Sequence, residues 1–172
     1  GSTCEMACWP PGSGLSDFDW RVSIATIVSA GPFSMFKGVD RNIVLLAGDG
    51  MALRSSDGRI DHRMGTLFQP FAFSGDEAID CTLLGCPSSD FNVMTRRGRW
   101  QAELQILDEA TTIEAAPHGV LLALRGSWRL DDKQPACRAG DGLYWADTPR
   151  AWRIVPEAPS AQLVLVRIVA SS

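Results

Sequence analysis

Apolar and polar residues alternate with a period of two through much of this chain. Trp20, Val22 and Ile24 alternate with Arg21 and Ser23, and Trp100, Ala102, Leu104 and Ile106 alternate with Gln101, Glu103 and Gln105. That period sends successive side chains to opposite faces of a β-strand. Asn42 to Ala47, Ile79 to Leu84, Val120 to Leu124 and Gln162 to Val169 read as further strands, the first of the buried type. Turn signals separate them: Gly31-Pro32, Gly48-Asp49-Gly50, Ser56-Asp57-Gly58, Ser74-Gly75-Asp76 and Gly85-Cys86-Pro87. Pro70 demotes the Leu67 to Phe73 segment to an edge or bent strand. Gly1 to Ser16 is rich in Gly, Pro and Ser, and Trp9-Pro10-Pro11-Gly12-Ser13-Gly14 reads as an irregular arm or a turn before the first strand. No stretch keeps a helical period for more than a couple of turns, so the fold class is all-β.

The pattern also repeats. Ile43 to Leu53 is an apolar strand, a Gly turn and a short strand, and Val120 to Leu130 has the same order. Asp141 to Trp145 parallels Pro70 to Phe73, and Gln162 to Val169 is matched to Ile79 to Leu84. A repeat of roughly eighty residues, each copy built of short strands, is what two β-barrel units give. The expectation is a double-stranded β-helix duplicated once. Residues 1–90 form the first half with its arm, and residues 91–172 the second, within one compact unit.

Arg41 stands out for its chemistry. It precedes the apolar run Ile43 to Leu46 and follows a loop carrying Ser34 and Lys37. A guanidinium is a two-pronged donor that fits a carboxylate and keeps its charge at working pH. The other reading pairs Arg41 with Asp40 or Asp90 and gives it no ligand. Around it the sequence offers Trp20, Arg21, Ser34, Lys37, Asp90 and Asn92 as further ligand-binding candidates. Asn92 carries both a donor and an acceptor for an amide or formyl group. Trp20, Phe33 and Phe36 read first as plain core, and Asp90 and Asn92 equally as a turn cap or partners of Arg21.

Other chemistries find little support. The net charge of −4 argues against a nucleic-acid partner, so Arg96-Arg97-Gly98-Arg99 reads first as a solvated turn. No apolar run is long enough to span a bilayer, and no signal peptide is visible, so no membrane partner is expected. Five cysteines, an odd number without a dense framework, suggest reduced thiols and a cytoplasmic protein. His62 and His118 are far apart and form no H-x-H pair, so no metal and no cofactor is expected. No G-x-S-x-G elbow and no phosphate-binding loop occurs.

Several of these residues fall in a longer pattern. Asp19-Trp20-Arg21-Val22-Ser23-Ile24-Ala25, Gly31-Pro32-Phe33-Ser34 and Phe36-x-Gly38-x-x-Arg41 occur in order. Gly48-x-Gly50-Met51-x-Leu53, Phe71-x-Phe73-x-Gly75-Asp76 and Asp90-Phe91-Asn92-Val93-Met94 follow. Together they resemble the HutD/Ves family over roughly the first two-thirds of the chain. Ser2-Thr3-Cys4-Glu5 matches the tail of that family's N-terminal N-G-G-G-x-T-x-E-like segment; the Trp-Lys-Asn-rich part before it is not in this sequence. The resemblance implies a bicupin fold and a link to bacterial histidine degradation. It also implies binding of a small pathway acid such as N-formylglutamate, as sensor or buffer.

Two other functions stay open at this point. One is a metal-independent isomerase or hydrolase using Glu5 or Asp90 as general base, on fold analogy alone. The other is an interaction protein or homodimer, docking through Trp128, Trp145 and Trp152 if these are exposed.

Overall fold

The computed structural model of the protein describes residues 1–131 and 136–172, and among them it contains strands and turns but no helix. The chain divides into two compact units, residues 1–101 with 171–172, and residues 102–170.

The first unit holds β1 (Ser2–Trp9), β2 (Trp20–Ile27), β3 (Gly31–Pro32), β4 (Val39–Ala47) and β5 (Met51–Ser55). It continues with β6 (Asp61–Met64), β7 (Pro70–Ser74), β8 (Ile79–Leu83) and β9 (Ser88–Arg96). These make two antiparallel sheets, ordered β1-β2-β9-β4-β7 and β3-β8-β5-β6. The later strands are β10 (Trp100–Leu107), β11 (Thr111–Ala116), β12 (His118–Arg125) and β13 (Ser127–Leu130). They are followed by β14 (Cys137–Arg138), β15 (Gly142–Trp145), β16 (Arg150–Pro156) and β17 (Gln162–Ala170). Their sheets are ordered β10-β17-β12-β15 and β11-β16-β13-β14. Each strand from β2 to β9 therefore has a counterpart eight strands later, in the same place in its sheet. This is the duplicated double-stranded β-helix that the repeat implied.

The pairing corrects three details. β17 lies between β10 and β12, as β9 lies between β2 and β4. The last strand therefore corresponds to β9, and β8 corresponds to β16. Apolar runs look alike in sequence, and only the long-range partner tells them apart. β9 belongs to the first unit, so the units divide after Gln101 rather than at residue 90. Finally, Pro10 to Ser13 is the turn the sequence offered, closed by Ser13 N–H donating to Pro10 O at 3.1 Å, but a strand precedes it. β1 pairs with β2 from Ser2↔Thr26 to Trp9↔Trp20, with a bulge between Glu5 and Ala7.

Each unit has its own core. In the first, Ile43, Leu45, Met51, Leu53, Ile79 and Cys81 from the two sheets bury one another with Met64 and Phe73. In the second, Trp128, Trp145 and Trp152 pack with Ile113, Leu121 and Leu163. The three tryptophans are buried, not exposed as the docking idea required. Trp128 and Trp152 share inward strand faces with Leu130 and Ile154, and the indole Nε1 of Trp145 donates to Ala116 O at 2.9 Å.

The turn joining β4 to β5 is held by close backbone contacts. Gly50 sits at φ +94°, and a Cβ there would overlap the carbonyl oxygen of Met64. Its N–H donates to Ser88 Oγ at 2.9 Å, which ties the turn to the start of β9.

Candidate functional site

Strand register decides which side chains meet inside the first unit. β9 is flanked by β2 and β4, and three rows run across these strands: Arg21–Met94–Arg41, Ser23–Asn92–Ile43 and Ala25–Asp90–Leu45. Residues two apart share a face, so all three rows look the same way. β1 extends all three, with Cys8 beside Arg21, Glu5 beside Ser23 and Thr3 beside Ala25. The rows mix polar side chains (Arg21, Ser23, Asp90, Asn92 and Arg41) with apolar ones (Met94, Ile43 and Leu45).

A cavity of about 450 Å³ lies against this wall. Arg21, Arg41, Asp90, Asn92, Met94 and Cys81 line it from the strands. Phe33, Ser34 and Phe36 line it from the segment between β3 and β4, and Gly1 to Thr3 from the start of the chain. The volume suits a small organic molecule.

Arg41 is 6% exposed. Its guanidinium carbon lies over three rings, Phe73 at 4.9 Å, Phe33 at 5.3 Å and Phe36 at 5.6 Å. Nη1 donates to Ser34 O at 3.2 Å, whereas Nε is buried and without a partner among the described residues. Neither Asp40 nor Asp90 pairs with it: Asp40 is held by Arg97 Nε at 2.8 Å, and Asp90 forms no ion pair among the described residues. Burial pulls the Arg41 pKa down to about 10, with the Asp90 charge opposing and that of Arg21 assisting. The group thus remains a cation at neutral pH, in an aromatic cage and with spare donors.

Arg21 is engaged differently. Its Nε meets Glu5 Oε2 at 2.6 Å and its Nη1 lies 3.4 Å from Ser23 Oγ. Asp90 and Asn92 are 2% and 6% exposed, yet Asp90 Oδ2 and Asn92 Oδ1 have no hydrogen-bond partner among the described residues. Burial raises the Asp90 pKa to about 6, against the opposing charge of Arg41. Burial likewise holds the Cys81 thiol up at about 11, so it lines the cavity as a neutral group.

Of the seven residues named from the sequence, Arg21, Ser34, Arg41, Asp90 and Asn92 line this cavity. Ser34 contributes a backbone carbonyl to Arg41 rather than its hydroxyl. Trp20 does not line it. It is fully buried and adjacent to Arg21 on β2, and neighbouring residues of a strand point to opposite faces. Lys37 borders a second depression of about 460 Å³ with Leu15, Met35 and Arg96. Phe73, Cys81 and Met94 carry no local sequence signal as site residues; their registration with Arg41 and Leu53 is what brings them in.

The basic cluster and the two histidines are engaged elsewhere. Arg96 donates to the carbonyls of Phe18 and Lys37, Arg97 binds Asp40 and Asp76, and Arg99 binds Asp19. Residues 97–99 form an exposed turn between β9 and β10, as the sequence read, and the cluster ties neighbouring loops together. His62 stacks on Phe71 at 3.8 Å, and His118 Nδ1 accepts from the Asp147 N–H at 3.0 Å. Among the described residues no three His, Cys, Asp or Glu side chains converge as a metal ion requires. The cavity wall does not fit a cupin-type metal.

The HutD family model matches residues 1–163. The chain belongs to the HutD/Ves family. Protein Ves of Citrobacter koseri is 37% identical over 169 residues, which is 98% of this chain and 84% of that protein. A conserved Pseudomonas aeruginosa PAO1 protein of unknown function superposes with a TM-score of 0.85 at 33% identity, covering 98% of this chain and 91% of the other. HutD from Pseudomonas fluorescens SBW25, solved in a formate condition, superposes with a TM-score of 0.84 at 27% identity, covering 99% and 89%. More distant cupin-type barrels share the fold alone. This HutD/Ves chain is thus a cupin-fold protein whose first unit holds a buried, acid-free arginine.

Proposed function

We propose that this HutD/Ves protein binds a small carboxylic acid in the first unit, with Arg41 as the anion receptor. One observation carries the reading: a buried guanidinium faces a cavity and has no acidic partner among the described residues. Burying an unpaired charge is costly, and an incoming carboxylate offsets that cost with two charge-assisted hydrogen bonds. The three phenylalanines keep water from screening the pair. In the cell the protein senses or buffers an intermediate of histidine degradation such as N-formylglutamate, in the cytoplasm, without metal or cofactor.

Calorimetric titration of formate, N-formylglutamate and urocanate into wild type and Arg41→Ala tests this. At least one acid gives heat with wild type and none with the variant. Equal heats from both proteins remove Arg41 from the site.

A second reading rests on Asp90, a buried carboxyl with a pKa raised to about 6 beside the same cavity. Such a group suits general acid–base work near neutrality, and would make the protein a metal-independent isomerase or hydrolase. Steady turnover of a bound acid, lost in Asp90→Asn, would place catalysis above sensing.

A further inference from the structure

Among the described residues, the charged side chains that line the cavity are Arg21, Arg41 and Asp90. Glu5 cancels Arg21 at 2.6 Å. The Cys81 thiol is neutral, and Asn92 brings no charge. Arg41 and Asp90 therefore set the charge balance of the space. While Asp90 is ionised the two sum to zero, and an incoming carboxylate leaves one negative charge uncompensated. With a proton on Asp90, it is Arg41 and the carboxylate that sum to zero. Burial penalises an uncompensated charge, so the second arrangement is the stable one.

We propose that the cavity takes up a proton together with its acid, held on the Asp90 carboxyl, so that the protein grips the acid more tightly as pH falls. This rests on the carboxylate reading above and adds the control of occupancy at the same site. Asp90 stands two rows from Arg41 and forms no ion pair among the described residues. Arg41 is thus left to the ligand, while each group still feels the other's charge. Burial already holds the Asp90 carboxyl at about 6, and a second anion in the same cavity raises it further. The proton also turns one Asp90 oxygen from acceptor to donor, suited to an oxygen of the ligand. The Cys81 S–H of β8 and the Asn92 amide of β9 can each offer Asp90 a hydrogen in either state, but these neutral donors leave the charge count unchanged. In the row of Asp90, β2 presents Ala25 and β4 presents Leu45, and neither titrates. On β1, Glu5 is committed to Arg21. Gly1 also lines the cavity, and a pH response from its amino group would survive any change at Asp90.

The probe is formate or N-formyl-L-glutamate, whichever wild type binds more tightly. Carboxyls of this kind stay ionised from about pH 6 to 8, so the probe adds no titration of its own. Calorimetry in two buffers of different ionisation heat counts the protons that enter with it. In wild type the affinity falls by about tenfold from pH 6 to pH 8, and about half a proton or more is taken up per acid at pH 7. Asp90→Asn has no proton to gain. It binds with affinities that agree within about twofold across the range, and about tenfold tighter than wild type at pH 8. A wild-type affinity that ignores pH, with no proton taken up, overturns the proposal. So does a slope that persists unchanged in Asp90→Asn, since another group then carries the proton. If circular dichroism shows that Asp90→Asn does not fold, Asp90→Leu takes its place, and the wild-type proton count needs no variant. Acid binding that requires Arg41 yet ignores pH defeats this inference alone. Absence of acid binding at every pH defeats the carboxylate reading and this one with it.

Discussion

Arg41 and Asp90 share one cavity wall and form no ion pair. They stand two rows apart, Arg41 level with Met94 and Asp90 level with Leu45. Each feels the other's charge: Asp90 holds the Arg41 pKa up and Arg41 holds the Asp90 pKa down, while burial works more strongly in the opposite sense on both. Two buried groups of opposite charge that do not join leave polar capacity for a third molecule, which is the physical basis of the proposed binding site.

Asp90 makes stability depend on pH in an unusual direction. The folded carboxyl keeps its proton up to about 6, against an ordinary value of 3.8. Between those values the folded state binds more protons than the unfolded chain, so this group's contribution falls as pH rises from about 4 to 6 and stays low above that. Asp90→Asn removes the penalty. Its stability relative to wild type should climb across that window, reaching at most about 3 kcal/mol at pH 7. Asp76 acts with the opposite sign. Its pKa is held at about 2, first by Arg97, so its contribution is present above pH 4 and is lost as pH falls toward 2. Urea unfolding of wild type and Asp90→Asn at pH 4, 5, 6 and 7 separates the two. A difference that stays flat with pH would contradict the account.

Glu5 tunes the site from the edge strand. Its carboxylate neutralises Arg21 at 2.6 Å, and the Arg21 side chain lies in the row that holds Arg41. Glu5→Gln should therefore raise the positive potential in the cavity and tighten acid binding by about threefold at low salt. Stability should fall by about 1 kcal/mol, because Glu5 is half exposed and the pair is partly solvated. Calorimetry at two salt concentrations, with thermal unfolding alongside, reads both effects. Weaker acid binding in the variant would mean that Glu5 itself contacts the ligand.

Gly50 is required by its turn. With φ at +94° and the Met64 carbonyl in the way, alanine has neither the conformation nor the room. Gly50→Ala should cost about 2–4 kcal/mol or prevent folding. Gly58→Ala provides the contrast. It sits at φ +76° with open space around its Cβ position, so only the backbone strain remains, about 1 kcal/mol. Thermal unfolding of both variants checks the order; equal losses would show that the Met64 contact does not matter.

Much of the fold is legible in the amino-acid sequence. Alternation at Trp20 to Ile24, the turns at Gly48 to Gly50 and the recurrence at Val120 to Leu130 mark strands, connections and duplication, because each is written in local pattern. Arg41 is visible as a charge bordering an apolar run. What stays hidden depends on partners distant in sequence. β9 and β17 are apolar runs like any other until their neighbours in the sheet are known. Phe73 and Met94 enter the site only because the register sets both beside Arg41. Trp20 is a different case. It adjoins Arg21 on one strand, so the period of two already bars both from one face; the family motif places them together, and the pleat separates them.

The account depends most on Arg41 as a free anion receptor, and a crystal structure of the protein soaked with N-formylglutamate tests it most directly. The prediction is a carboxylate of the acid bound to the Arg41 guanidinium at about 2.7–2.9 Å, inside the ring of Phe33, Phe36 and Phe73. An Asp90 carboxylate closed onto Arg41, with the acid bound elsewhere or absent, would contradict it.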